Sequence, residues 1–200
     1  MGKLNSSAYL VENLYSKDIK KAKTRDGYGK GLVKAGEKNP NVVVICADLS
    51  ESTRSEWFQK KFPDRFVEVG VAEQNMASLA SGMAAAGKIA FISSYAVFSP
   101  GRNNEQIRTT ISYNNWGSRA GKEINVKIAG AHAGISVGPD GATHQALEDV
   151  GLMRLIPGMT VIVPCDEAEC EKATIAAAET PGPVYLRFGR ADYPFITTGK

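Results

Sequence analysis

Cysteine and histidine are scarce in this 200-residue chain, with three and two copies. Cys46, Cys165 and Cys170 show no metal-ligand spacing and have no histidine beside them, so a reduced, cytoplasmic protein is the simplest expectation. No apolar run reaches membrane-spanning length, and the N-terminus lacks the charged-then-apolar plan of a signal peptide. Charge of one sign is also missing. The formal net charge is +3, too small to argue for nucleic acid, and the cluster Lys17, Lys20, Lys21 and Lys23 reads as a solvated N-terminal segment. Two phosphate-binding signatures are absent as well. There is no Gly-x-Gly-x-x-Gly after the first strand-like run and no Walker Gly-x-x-x-x-Gly-Lys-Ser/Thr. The chain thus offers no obvious diphosphate cradle of its own.

What is present is ordinary in composition and regular in order. With 43% hydrophobic and 22% charged residues, the chain can bury the core of one soluble domain. After a polar segment over 1–23, helix-like and strand-like stretches alternate. Helices are expected over 24–39 (with Thr24 as N-cap), 52–61, 74–87, from Pro100 to about Tyr113, from about His144 to Leu155, and over 166–179. Strands are expected at Val42–Ile45, Phe66–Val69, Lys88–Ile92, Ile124–Ala129, Met159–Val163 and Val184–Phe188. The run Val42-Val43-Val44-Ile45 suits a strand covered on both faces. Such alternation predicts a single α/β domain over 24–190. It has three layers: a mostly parallel, roughly six-stranded twisted sheet with helices on both faces.

Polar chemistry collects where strands end, the position at which open α/β sheets bind ligands. Asp48, Ser50 and Ser52 follow the valine run, where turn and cap chemistry would also favour them. Glu73 stands between a strand and a helix of small residues, a place where an acid also suits the helix dipole. Both histidines, His132 and His144, fall in one glycine-rich loop with Asp140 between them, which is harder to explain by structure alone. Arg187 and Arg190 close the last strand and are suited to a phosphate, though an arginine there is often simply solvated.

These segments resemble the pyrimidine-binding domain of transketolase, in particular the C-terminal subunit of split, two-chain transketolases. Ala47-Asp48-Leu49-Ser50, Gly70-Val71-Ala72-Glu73-Gln74-Asn75-Met76, Ser94-Tyr95-Ala96-Val97-Phe98, Gly138–Gln145 and Pro164-Cys165-Asp166 stand in the family's order. The resemblance implies a thiamine-diphosphate-binding fold and thiamine diphosphate as coenzyme. A divalent cation (magnesium or calcium) and the diphosphate would be held by a partner, the N-terminal transketolase subunit, in a homo- or hetero-oligomer. No metal site is implied on this chain. Glu73 matches the glutamate that shares a proton with the pyrimidine nitrogen. That exchange favours the imino tautomer that deprotonates the thiazolium ring. Phe98 resembles the aromatic packed on the pyrimidine, with Tyr95 a competitor for that role, and Asp48 the acidic residue near the coenzyme at the chain interface. His132 and His144 match histidines that contact sugar hydroxyls and phosphate, and Asp140 the aspartate that recognises the donor's hydroxyl. Arg25, Ser52 and Arg190 match the phosphate-binding positions at the channel mouth. The implied reaction moves a two-carbon ketol unit between sugar phosphates.

The family pattern is departed from at Ala133, where an aspartate is frequent, and in Ser99-Pro100-Gly101-Arg102, which has no second aromatic. Family members usually continue into a further α/β domain, so residues 191–200 read as a tail or the start of one. The alternatives are a deoxyxylulose-phosphate synthase fragment, the β subunit of a 2-oxo-acid dehydrogenase component, and a non-catalytic scaffold. His132 with Asp140–Gln145 favours sugar-phosphate handling, and a scaffold would need none of these side chains. The small-residue helix could pack on its own sheet or at a subunit interface.

Overall fold

The computed structural model describes residues 9–117 and 123–198; the first eight residues of the polar leader and the last two of the C-terminal segment lie outside them. In chain order the elements are β1 (Lys21–Lys23), α1 (Thr24–Lys38), β2 (Val42–Cys46), α2 (Ser50–Thr53), α3 (Glu56–Lys61), β3 (Phe66–Glu68), α4 (Glu73–Ala85) and β4 (Ile89–Tyr95). There follow α5 (Asn104–Gln106), α6 (Asn114–Gly117), β5 (Val126–Ala131), α7 (Asp149–Arg154), β6 (Thr160–Ile162), α8 (Glu167–Glu179), β7 (Val184–Arg187) and β8 (Asp192–Pro194).

β2 shows why the sheet is buried on both sides. All five of its residues are buried, Val42 and Val44 in one apolar cluster and Val43 and Ile45 in the other. The first cluster packs under α1, α3 and α8 through Tyr28, Leu32, Phe58, Cys170 and Ala177. The second packs under α4 and α7 through Met76, Ala80, Ala84 and Met153. Between them runs a six-stranded sheet in the order β3-β2-β4-β5-β7-β6, with every adjacent pair parallel. The expected three-layer architecture is therefore the observed one. Because β3 lies on one side of β2 and β4 on the other, the strand order reverses there. In open α/β sheets the ligand-binding position lies at the carboxyl ends of the strands beside such a reversal.

Helices α1 and α8 touch closely. A Cβ on Gly27 would collide with the Glu167 carbonyl, so only glycine permits this approach. The small-residue helix α4 buries Met76, Ala77, Ala80 and Ala84 on its own sheet, while Ser78, Gly82 and Ala85 stay exposed.

Several boundaries differ from the expected ones. Thr24 does not cap α1; its hydroxyl donates to the Gly189 carbonyl at 3.1 Å, and the capping position falls to Lys23. The helix expected over 52–61 is two, broken at Arg54, whose backbone is left-handed (φ 69°). The helix expected from Pro100 is delayed to Asn104 and runs as a wide π-turn over Ile107–Tyr113. His144 does not open a long helix: it ends a 3₁₀ turn, Gln145 after it leaves the helical region (φ −84°, ψ 86°), and α7 begins only at Asp149. The residues just before α1 are not merely a solvated leader, since β1 pairs antiparallel with β8 and Lys20 covers the Phe195 ring.

Candidate active site

The loops after β2, β3, β4, β5 and β7 bring polar groups to the carboxyl edge of the sheet, and among them Glu73 is buried. Glu73 is the first residue of α4 and is 1% exposed. Its Oε2 accepts a hydrogen bond from Arg102 Nη1 at 2.7 Å, and its backbone carbonyl accepts one from Asn103 Nδ2 at 3.0 Å. A second bond of 3.1 Å, from the same amide nitrogen to Ser99 Oγ, ties the 99–103 loop to the start of α4. Neither Arg102 nor Asn103 is singled out by the sequence.

From this carboxylate a row of rings crosses the site. The Arg102 guanidinium lies 4.5 Å from the centroid of half-buried Phe98. Phe98 runs nearly parallel to Tyr95, with centroids 6.0 Å apart, and Tyr95 stacks on His132 at 4.1 Å. His144 meets Phe98 edge-on at 5.3 Å and Tyr95 at 6.2 Å, and its Nδ1 is 2.9 Å from Thr143 Oγ1. Tyr95 is 8% exposed and enclosed by its neighbours, so Phe98 is the more accessible ring.

His132 ends this row almost wholly buried. Its Nε2 lies 3.3 Å from Arg25 Nη1, which also donates to the Ser52 carbonyl at 2.9 Å. A guanidinium only donates, so Nε2 accepts and the proton resides on Nδ1. That nitrogen is buried with no hydrogen-bond partner among the described residues. Burial first, and then the cations of Arg25 and Arg190, push His132 down to about 4, with Asp140 opposing them. The imidazole is therefore neutral at physiological pH. Arg25 is itself lowered, by burial and then by Arg54.

The remaining predicted residues rim this centre. Arg190 Nη1 donates to the Val137 carbonyl at 2.9 Å and packs on Gly138, where a Cβ would come within 2.5 Å of that nitrogen. Asp140 is exposed on the same loop. Asp48 is exposed at the end of β2, its amide donating to Glu68 Oε1 at 2.7 Å, and the Gly70 amide donates to the same oxygen at 3.0 Å. That carboxylate thereby joins the loops after β2 and β3. Asp48 and His132 both hold left-handed backbones, φ 58° and 54°, which asparagine, aspartate and histidine tolerate better than other side chains. Arg187, expected beside Arg190, is instead committed to structure: its Nε donates to Asp149 Oδ2 at 2.9 Å, where Tyr185 Oη also donates at 2.6 Å.

A doubly covered parallel sheet with a buried acid and a row of aromatic rings at the carboxyl ends of its strands defines a ligand-binding α/β domain. Residues 20–195 match the family described as transketolase, pyrimidine binding domain, and the chain belongs to that family. It is 47% identical over 172 residues to the putative transketolase C-terminal section of Methanocaldococcus jannaschii, covering 86% of this chain and 52% of the relative. Among solved structures, a split-gene transketolase described as an inactive β4 tetramer superposes with a TM-score of 0.76 at 46% identity. That match covers 88% of this chain and 54% of the other. Campylobacter jejuni transketolase shares the fold, with a TM-score of 0.77 at 23% identity over 91% of this chain and 28% of that one. The chain thus spans about half the length of the C-terminal section and of the split-gene chain it matches.

Proposed function

We propose that this chain is the pyrimidine-binding part of a split transketolase and holds the aminopyrimidine ring of thiamine diphosphate between Glu73 and Phe98. One observation carries the reading: a carboxylate 1% exposed opens beside an accessible aromatic face, and together they already hold a flat N–H donor, the Arg102 guanidinium. That donor chemistry fits a flat nitrogen heterocycle. When bound, the coenzyme supplies the carbon nucleophile that carries a two-carbon ketol unit.

This chain's own residues do the rest. Glu73 holds or yields a proton at the ring nitrogen, in a setting where burial strengthens the hydrogen bond. Phe98 fixes the plane of the ring, and enclosed Tyr95 supports Phe98 and His132 rather than stacking on the ligand itself. Neutral His132, with its free Nδ1–H, donates to a substrate oxygen. His144 and Asp140 stand across the crevice to orient sugar hydroxyls. Arg25 and Arg190, with Ser52 on α2, form the cationic mouth for a phosphate. Asp48 lies on the exposed rim where a partner chain would close the site. The diphosphate and its divalent cation fall to that partner, the N-terminal transketolase subunit.

Glu73→Gln tests the reading in the complex reconstituted with the diphosphate-binding subunit. The substitution keeps the shape and removes the exchangeable charge. Two-carbon transfer should fall at least about a hundredfold, the usual worth of a positioned acid–base group, with assembly intact by sedimentation. Unchanged transfer would refute the assignment.

A further inference from the structure

The Arg102–Glu73 pair stands in the way of the ligand just proposed. A flat cation over Phe98 that donates to Glu73 Oε2 occupies both contacts an aminopyrimidine ring would make. We propose that Arg102 is an internal surrogate for the pyrimidine ring: it fills the slot in the free chain and must swing out when the coenzyme enters. The proposal rests on the coenzyme assignment above and adds a competition to it.

Two physical facts require such a residue and allow it to leave. A carboxylate as buried as Glu73 is costly when unpaired, so a chain that folds before meeting its partner needs a donor there. Arg102 provides one from a side chain that is 46% exposed, and it lies on the loop that Asn103 anchors to α4 and Ser99. Rotation about its side-chain bonds therefore moves the guanidinium into water while the loop stays fixed. Breaking the pair opposes coenzyme binding, so affinity is lower than the slot alone would permit. The same contact protects the free chain from an orphaned charge.

The test compares Arg102→Ala with the unaltered chain, each assembled with the diphosphate-binding subunit and titrated calorimetrically with thiamine diphosphate and magnesium. Arg102→Ala should bind roughly tenfold more tightly, the low end for a charge-assisted hydrogen bond because this one is partly solvated. In a Glu73→Gln background the same substitution should give less than about a threefold gain, since the neutral amide holds the guanidinium weakly. Chemical denaturation of the chain alone gives the second readout: Arg102→Ala should lower the unfolding midpoint, and adding Glu73→Gln should restore most of it. If Arg102→Ala fails to fold, Arg102→Gln should show the same signs at smaller size. Equal or weaker coenzyme binding by the Arg102 variants would overturn the surrogate role and leave Glu73's role standing. Coenzyme binding and transfer untouched by Glu73→Gln alone would overturn the coenzyme assignment itself.

Discussion

Acid should unfold this protein partly through one imidazole. His132 is held neutral in the folded state, down to about 4 from an ordinary 6.5, by burial and by Arg25 and Arg190. The unfolded chain takes up a proton as pH falls through 6.5, whereas the folded chain takes it up only near 4. Stability from this ring is therefore complete above pH 6.5 and is lost between there and about 4. At about 1.4 kcal/mol per tenfold change in proton affinity, the difference is a little over 3 kcal/mol, of which more than about 2 kcal/mol has gone by pH 4.5. That is a substantial share of the 5–15 kcal/mol typical of a domain.

His132→Asn isolates the effect, because asparagine tolerates the left-handed backbone at this position and cannot titrate. Urea denaturation of the full chain at pH 7 and pH 4.5, for wild type and variant, is the assay. Carboxylates titrate in both proteins and cancel in the comparison. The variant is expected to be less stable at pH 7 and to lose about 2 kcal/mol less on acidification. Parallel losses would show that the ring is not held neutral by its surroundings, and with that the free Nδ1–H donor would fall.

Other perturbations probe other parts of the argument. Lys127 is fully buried, donates to the Thr180 and Gly182 carbonyls at 2.6 and 2.5 Å, and is pushed down to about 8 by burial. Lys127→Ala should cost about 3 kcal/mol, from a cavity and two orphaned carbonyls, measured by denaturant midpoint; a loss below 1 kcal/mol would mean the turn is held by something else. Asp149→Ala should cost about 3 kcal/mol by stranding the Tyr185 hydroxyl and the Arg187 guanidinium. If Phe98 carries the ring, Phe98→Leu should weaken coenzyme affinity in the reconstituted complex by roughly tenfold. Tyr95→Leu should chiefly lower stability, and the reverse ranking would exchange the two roles. Gly27→Ala should separate α1 from α8 at a cost of about 1–3 kcal/mol in thermal or chemical unfolding.

Much of the fold was legible in the chain. The valine run of β2 and the alternation of apolar strands with helices are local signals set by periodicity. Glu73 at a strand-to-helix corner and two histidines in one glycine-rich loop were visible for the same reason, since strand ends collect polar groups. What tertiary structure decided was pairing. Arg187 and Arg190 look alike in sequence, yet buried Asp149 claims the first and leaves the second at the rim. Tyr95 and Phe98 looked interchangeable until His132 stacked on Tyr95 and enclosed it. Arg102 carried no local signal, because its partner lies twenty-nine residues away on another element. Propensity and periodicity act over a few residues along the chain, whereas a buried charge takes whichever donor the packed sheet brings within reach.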